Sequence, residues 1–194
     1  GVFLFLLKGL RTKKISDFIL AGVFLALGLN SYMAFRFLPL ILLAFLGFLF
    51  FTQREVVKNN LRGLILFSIT TFVLLIPLLT YAFNNWDIFM GRMQSIYIFN
   101  NHPFGELPSL LFNNLKGALL MFNFQGSTWP HKNLPGAPLL DMVTGIFFII
   151  GIIQTFLNLK KPIYFLLLIN LLTMLSISVF GESIYPPAGD PIRS

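Results

Sequence analysis

The sequence predicts an all-α fold: a polytopic transmembrane helical bundle with interfacial amphipathic helices in one long outer loop. Three observations lead there. First, the 194 residues are 56% hydrophobic and only 11% charged, with a mean hydropathy of +0.81, whereas a soluble domain carries about 25% charged residues. Second, the cations gather in short turns between apolar runs: Lys8, Arg11, Lys13 and Lys14, then Arg54, Lys58 and Arg62, then Lys160 and Lys161. Third, one stretch between apolar runs, 84–142, is about 60 residues long, too long for an idle connection.

The net charge of +7 would suggest a nucleic-acid partner if the cations formed an aqueous face. They punctuate apolar runs instead, which is the signature of membrane topology, and no nucleic-acid partner is expected. Cysteine is absent, which excludes disulfides, thiol catalysis and thiolate metal sites.

Taken in order, residues 1–7 ("GVFLFLL") fall far short of the ~20 residues a span needs. They read as the tail of a helix begun upstream, so the chain is expected to be an internal fragment, 1–194, of a single transmembrane domain. Residues 15–51 are too long for one crossing and have basic turns at both ends. They must cross twice, about 15–30 and 37–51, turning at "GLNSYMAFRFLP" with Pro39 in the first turn of the returning helix. Further spans are expected at about 64–83, 143–159 and 163–180. The positive-inside rule places the basic turns in the cytoplasm, the loop 84–142 outside a cell membrane, and the segment 181–194 outside as well.

Within the long loop, "LPSLLFNNLKGALLMFNF" (107–124) predicts an interfacial helix started by Pro108. Its apolar stripe is expected to be Leu111, Leu115, Ala118, Leu119 and Phe122, with Asn113, Asn114, Lys116 and Gly117 opposite. The stretch 86–99 predicts a second such helix, with Arg92 and Gln94 on its wetter side.

Few charges lie away from the basic turns. Ionisable groups near membrane depth default to functional hypotheses, but each has a plainer reading. Arg36 either snorkels to the headgroups or aims its planar fork at an anionic phosphate. Arg92 reads as a lipid-phosphate contact or a substrate one. His131, Lys132 and Asn133, between Pro130 and Pro135, form either a solvated turn or a rigid site for phosphate or sugar. Asp141 reads as the N-cap of the helix from Met142. Glu182 and Asp190 read as loop charges. His102 and His131 lack ligand spacing, so no metal is expected. Phosphate-loop, nucleophile-elbow and dinucleotide motifs are also missing, and no cofactor is expected.

Four passages, "GLNSYMAFRFLPLIL", "YAFNNWDIFMGRMQSIYIFNN", "HKNLPGAPLLDMVTGIFFIIG" and "PPAGDPIRS", in that order, resemble the middle and later portion of bacterial glycosyltransferase family 39 proteins. These are relatives of the dolichyl-phosphate-mannose protein mannosyltransferases. In that family a Tyr–Arg pair resembling Tyr32 and Arg36 closes an outer turn, and an Arg resembling Arg92 follows a long span. A passage resembling His131 through Asp141 and Gly145 precedes the next span, and a segment resembling Pro186 to Arg193 lies beyond. Lys132 between His131 and Asn133 departs from the pattern, as does "NNWDIF", where the family has a His-Pro pair. The resemblance implies a GT-C-like bundle that transfers a hexosyl or pentosyl group from a polyprenyl-phosphate-linked donor to an outer acceptor. It implies that the catalytic carboxylate lies before residue 1, leaving the fragment inactive alone. It also implies that Tyr32, Arg36, Arg92, His131, Lys132, Asn133, Asp141 and Arg193 contribute to the substrate surface. The alternatives are a multi-pass lipid or solute transporter or flippase, and a non-catalytic membrane scaffold subunit.

Overall fold

The structure, a computed structural model, describes residues 1–95, 97–126 and 134–181, apart from the side chains of Met33, Ala34, Arg92, Met93, Ser95 and Asn101. The described chain is all-helical: α1 Val2–Thr12, α2 Ile15–Ser31, a 3-10 turn Met33–Phe37, α3 Leu38–Thr52, α4 Arg54–Asn59, α5 Leu61–Asn84, α6 Trp86–Ser95, α7 Ile98–Asn101, α8 Leu107–Leu120, α9 Met142–Leu157 and α10 Pro162–Phe180. Three stretches are long and apolar enough to cross a membrane, by length and composition: Phe35–Thr52, Leu61–Asn84 and Pro162–Phe180. Two expected spans are shorter helices, Ile15–Ser31 and Met142–Leu157.

The chain divides into two compact units, Gly1–Asp87 with Lys160–Ile169, and Ile88–Leu159 with Asn170–Ser194. The first unit holds the continuous apolar core. Phe18, Ala21 and Leu25 of α2 meet Ile41, Leu42 and Phe45 of α3, Leu64 and Phe67 of α5, Leu6 of α1 and Leu166 of α10. Glycines let α2 and α5 approach closely. A Cβ on Gly22 would stand 2.8 Å from the Phe67 carbonyl oxygen, and one on Gly63 would strike the Phe18 ring. At the same crossing the Thr71 hydroxyl donates to the Phe67 carbonyl at 2.8 Å and reaches the Gly22 carbonyl at 3.4 Å.

The run 15–51 divides into two helices joined by a turn. α2 ends at Ser31, the 3-10 turn Met33–Phe37 follows, and Pro39 lies in the first turn of α3, where its missing N–H costs no hydrogen bond. The basic turns share one end of this unit. Asn60, before α5, donates to the Leu10 carbonyl of α1 at 3.2 Å and to Val56 at 2.9 Å. Phe48 of α3 stacks on Phe165 of α10 with centroids 4.1 Å apart. That sets Lys161, one helical turn before Phe165, level with the C-terminus of α3. From this end α5 carries the chain 24 residues onward, roughly 36 Å at 1.5 Å per residue.

In the second unit a pair of side-chain hydrogen bonds anchors α8. Asn114, 4% exposed, donates to the carbonyls of Val179 at 3.0 Å and Gly181 at 3.1 Å. Those are orphan acceptors at the end of α10, and an Asn amide with two N–H groups can satisfy both. Tyr97 adds an antiparallel bridge to Gly181.

Three expectations need correction. The opening helix is not confined to residues 1–7, since α1 runs Val2–Thr12, through Lys8 and Arg11. Residues 86–99 are not one helix: α6 stops at Ser95 and a short α7 follows. The inner face of α8 carries Leu107, Asn114 and Ala118, while Leu115 and Leu119 lie exposed. Asn114 is the departure: it turns inward because its amide has two carbonyls to satisfy, whereas exposed Leu115 and Leu119 fit an outward apolar stripe.

Candidate functional site

The Pro-rich passage is built around a tight turn. In Leu134–Pro135–Gly136–Ala137 the Ala137 N–H donates to the Leu134 carbonyl at 3.0 Å, and Gly136 has φ +77°. Proline pre-sets the first corner and only glycine takes the second without strain, the arrangement of a type II turn. The chain leaving the turn is then fastened to the end of α8. Leu139 N–H donates to the Met121 carbonyl at 2.8 Å, and Leu140 N–H to the Phe122 carbonyl at 2.9 Å.

Glycines tighten the same base. A Cβ on Gly126 would stand 1.9 Å from the Ala137 carbonyl oxygen, and one on Gly145 would stand 2.6 Å from the Asn123 amide nitrogen. Phe122 and Phe148 add a ring contact at 4.7 Å. The described residues on both sides of 127–133 are therefore held together, and backbone entropy there is spent in folding.

Asp141 closes the passage as expected. Its Oδ1 accepts from the N–H groups of Val143 and Thr144, both at 3.0 Å, and its Oδ2 from the Thr144 hydroxyl. The Thr144 hydroxyl, with the backbone N–H groups of Thr144 and Val143, holds this carboxyl below the usual Asp range. With these donors saturating it, Asp141 acts as the N-cap of α9.

Tyr32 and Arg36 belong to the first unit, one 3-10 turn apart. Tyr32 caps α2 through its N–H to Gly28 at 3.1 Å, and its carbonyl accepts from Phe35 at 3.0 Å. Phe35 folds over Gly28 so closely that a Cβ there would lie 2.2 Å from the ring. The Tyr32 ring is exposed and Arg36 half-buried. Arg92 lies on α6, with its side chain outside the description. His131, Lys132, Asn133 and Arg193 lie outside the described residues. Tyr32 and Arg36 are thus brought together by a local turn, and Asp141 joins the fastened passage.

Two polar groups had been passed over. Asp17, 3% exposed in the first turn of α2, pairs with Lys8 at 3.1 Å and accepts from the Thr12 hydroxyl at 3.1 Å. Asn60 ties two turns. A lone acid among four cations was the available sign of the first. Among the described residues no cluster of three or more His, Cys, Asp or Glu could hold a metal.

The architecture defines a class, an all-helical chain with three helices suited to crossing a membrane. No family model, curated protein or solved structure matches the chain.

Proposed function

We propose that this chain is part of a membrane glycosyltransferase, a polytopic bundle of GT-C-like type acting on a polyprenyl-phosphate-linked sugar. In the reaction the anomeric carbon leaves the carrier phosphate for an acceptor oxygen. The acceptor's proton passes to a carboxylate that the family resemblance puts outside these residues. The observation that carries the reading is the fastening of the described residues 134–140 to 121–126, on either side of 127–133. It supports a substrate wall on this side, because a base already closed in the folded protein lowers the ordering cost of binding a polar substrate beside it. The family resemblance adds His131, Lys132 and Asn133 to that surface. Arg36, in a turn braced by Phe35 on Gly28, suits a carrier phosphate through its bidentate fork. Exposed apolar residues of α8 suit the path of a polyprenyl chain through the interface.

The basic end of the first unit supports a cytoplasmic assignment for that end and an extracytoplasmic one for 84–142. An impermeant thiol reagent on intact cells should label Ser127→Cys and leave Asn59→Cys unlabelled, and the reverse pattern would invert the topology. The activity is tested by sugar transfer in membranes by the full-length protein. Arg36→Lys should lose most transfer at equal folded amount, and so should His131→Ala and Lys132→Ala. Full transfer by all three would reject the glycosyltransferase surface.

A further inference from the structure

The charge of this protein is concentrated in one place. The three basic turns hold nine of the fourteen Lys and Arg and two of the seven acids, Asp17 and Glu55. The whole net charge of +7 therefore belongs to these turns, and the rest of the chain is neutral in sum. All nine cations are exposed. Both acids are already engaged, Asp17 by Lys8 at 3.1 Å and Glu55 by Lys58 at 3.3 Å. Among the described residues no carboxylate pairs with the other seven cations: Arg11, Lys13, Lys14, Arg54, Arg62, Lys160 and Lys161.

These cations are held at one end by contacts that fix the turns to one another. Asn60 ties the second turn to the first through the Leu10 carbonyl, the Lys8–Asp17–Thr12 group pins the corner between α1 and α2, and Phe48 on Phe165 brings the third turn level. Apolar side chains border them directly. Phe51 is 85% exposed beside Arg54, Leu61 is exposed beside Arg62, and Ile15 beside Lys14. The Arg54 guanidinium, though exposed, lies 5.4 Å from the centroid of the Phe50 ring.

We propose that this end is a binding surface for anionic phospholipid, taking the phosphodiester headgroups of the leaflet it faces. The charge alone would suit any polyanion. The exposed Phe51, Leu61 and Ile15 choose among them, because they need acyl chains beside the cations, and only a lipid brings both. Juxtamembrane clusters of four to eight Lys and Arg gain about 1 kcal/mol per cation from anionic lipid, so seven unpaired cations make a substantial site. The inference stands apart from the glycosyltransferase reading, since it uses none of the residues assigned to transfer.

The test uses the full-length protein, delipidated in neutral detergent and titrated with phosphatidylglycerol or phosphatidylcholine, with bound lipid counted by native mass spectrometry. Phosphatidylglycerol should bind at least about tenfold more tightly at low salt, and the preference should shrink in high salt. The triple variant Arg11→Gln, Lys14→Gln, Arg62→Gln should weaken phosphatidylglycerol binding about a hundredfold. Should the triple variant fail to fold, Arg11→Gln and Arg62→Gln alone should each weaken it about fivefold. Lys116→Gln, a cation removed elsewhere, should change it less than about twofold. Equal affinity for the two lipids overturns the proposal, as does an unaltered preference in the folded variants. Binding of glycerophosphoglycerol as tight as the intact lipid would overturn it in favour of a free-phosphate site. Duplex DNA binding without a phosphatidylglycerol preference would overturn it in favour of a nucleic-acid surface.

Discussion

The two units are held together by different physics. In the first, thirteen buried apolar side chains from α1, α2, α3, α5 and α10 form one cluster, and close-packed interiors of this kind resist every lost methylene. In the second, the described buried apolar residues are few, Ile98, Leu107 and Ala118, and single polar contacts set the geometry: Asn114 on the end of α10, the backbone pairs from Leu139 and Leu140, and Asp141 on α9. Its outward side chains are largely apolar, including Phe147, Ile150 and Phe156. The difference shows where a membrane protein can economise. Side chains that face lipid would gain little from apolar burial, since lipid tails are as apolar as leucine, so polar contacts would carry more of the specificity there.

The contrast breaks most sharply at Phe18, 1% exposed and touching both Gly9 and Gly63. Phe18→Ala should lower the stability of the first unit by about 3–5 kcal/mol, read by denaturation in micelles. Leu119→Ala, on an exposed face of α8, should change little. Equal losses in the two variants would erase the distinction between the units.

Next comes Asn114. Asn114→Leu keeps the volume but strands the Val179 and Gly181 carbonyls, at roughly 1–3 kcal/mol. Hydrogen exchange should quicken at Tyr97 and at the end of α10. Asn113→Leu, exposed on the other side of α8, should leave exchange unchanged, and a matching response would overturn the inward placement of Asn114.

Gly136→Ala should cost about 1–2 kcal/mol locally, because φ +77° crowds any Cβ against the following carbonyl. Faster proteolytic nicking near 134–137 is the expected readout, and unchanged nicking would show that the turn tolerates a side chain.

The smallest effect is a pH dependence. Asp141 has a folded pKa below its ordinary 3.8. Its contribution to α9 is therefore complete above that value and lost as pH falls through the folded pKa. Amide exchange at Val143 and Thr144, corrected for intrinsic rates, should be flat from about pH 5 to 8 and rise only in stronger acid. In Asp141→Asn the acid rise should vanish.

What could be read from the sequence tracks how local each signal is. Pro39, Pro108 and Asp141 mark helix starts through their own backbone chemistry, and all three do so here. The Leu-Pro-Gly-Ala turn is equally local. The break between α2 and α3 followed from length and from basic flanks. The inward turn of Asn114 did not, because it depends on carbonyls at Val179 and Gly181, more than sixty residues away. Asn60 was invisible for a related reason, since its partner lies fifty residues away, whereas Asp17 had a local sign, a lone acid beside a turn read only for its cations. Of the candidate substrate residues, Tyr32 and Arg36 fall on a defined turn and Asp141 on a cap, whereas the chemistry of His131, Lys132 and Asn133 is written in residue types alone.

The pooling of charge at one end also has an electrical consequence. A membrane potential of 100 mV opposes outward passage of each elementary charge by about 2.3 kcal/mol. With this +7 end on the negative side, as the proposed topology has it, that work would reach about 16 kcal/mol. On the proposed topology thermal motion could not supply that work, and the membrane potential would act as a ratchet on the orientation acquired at insertion.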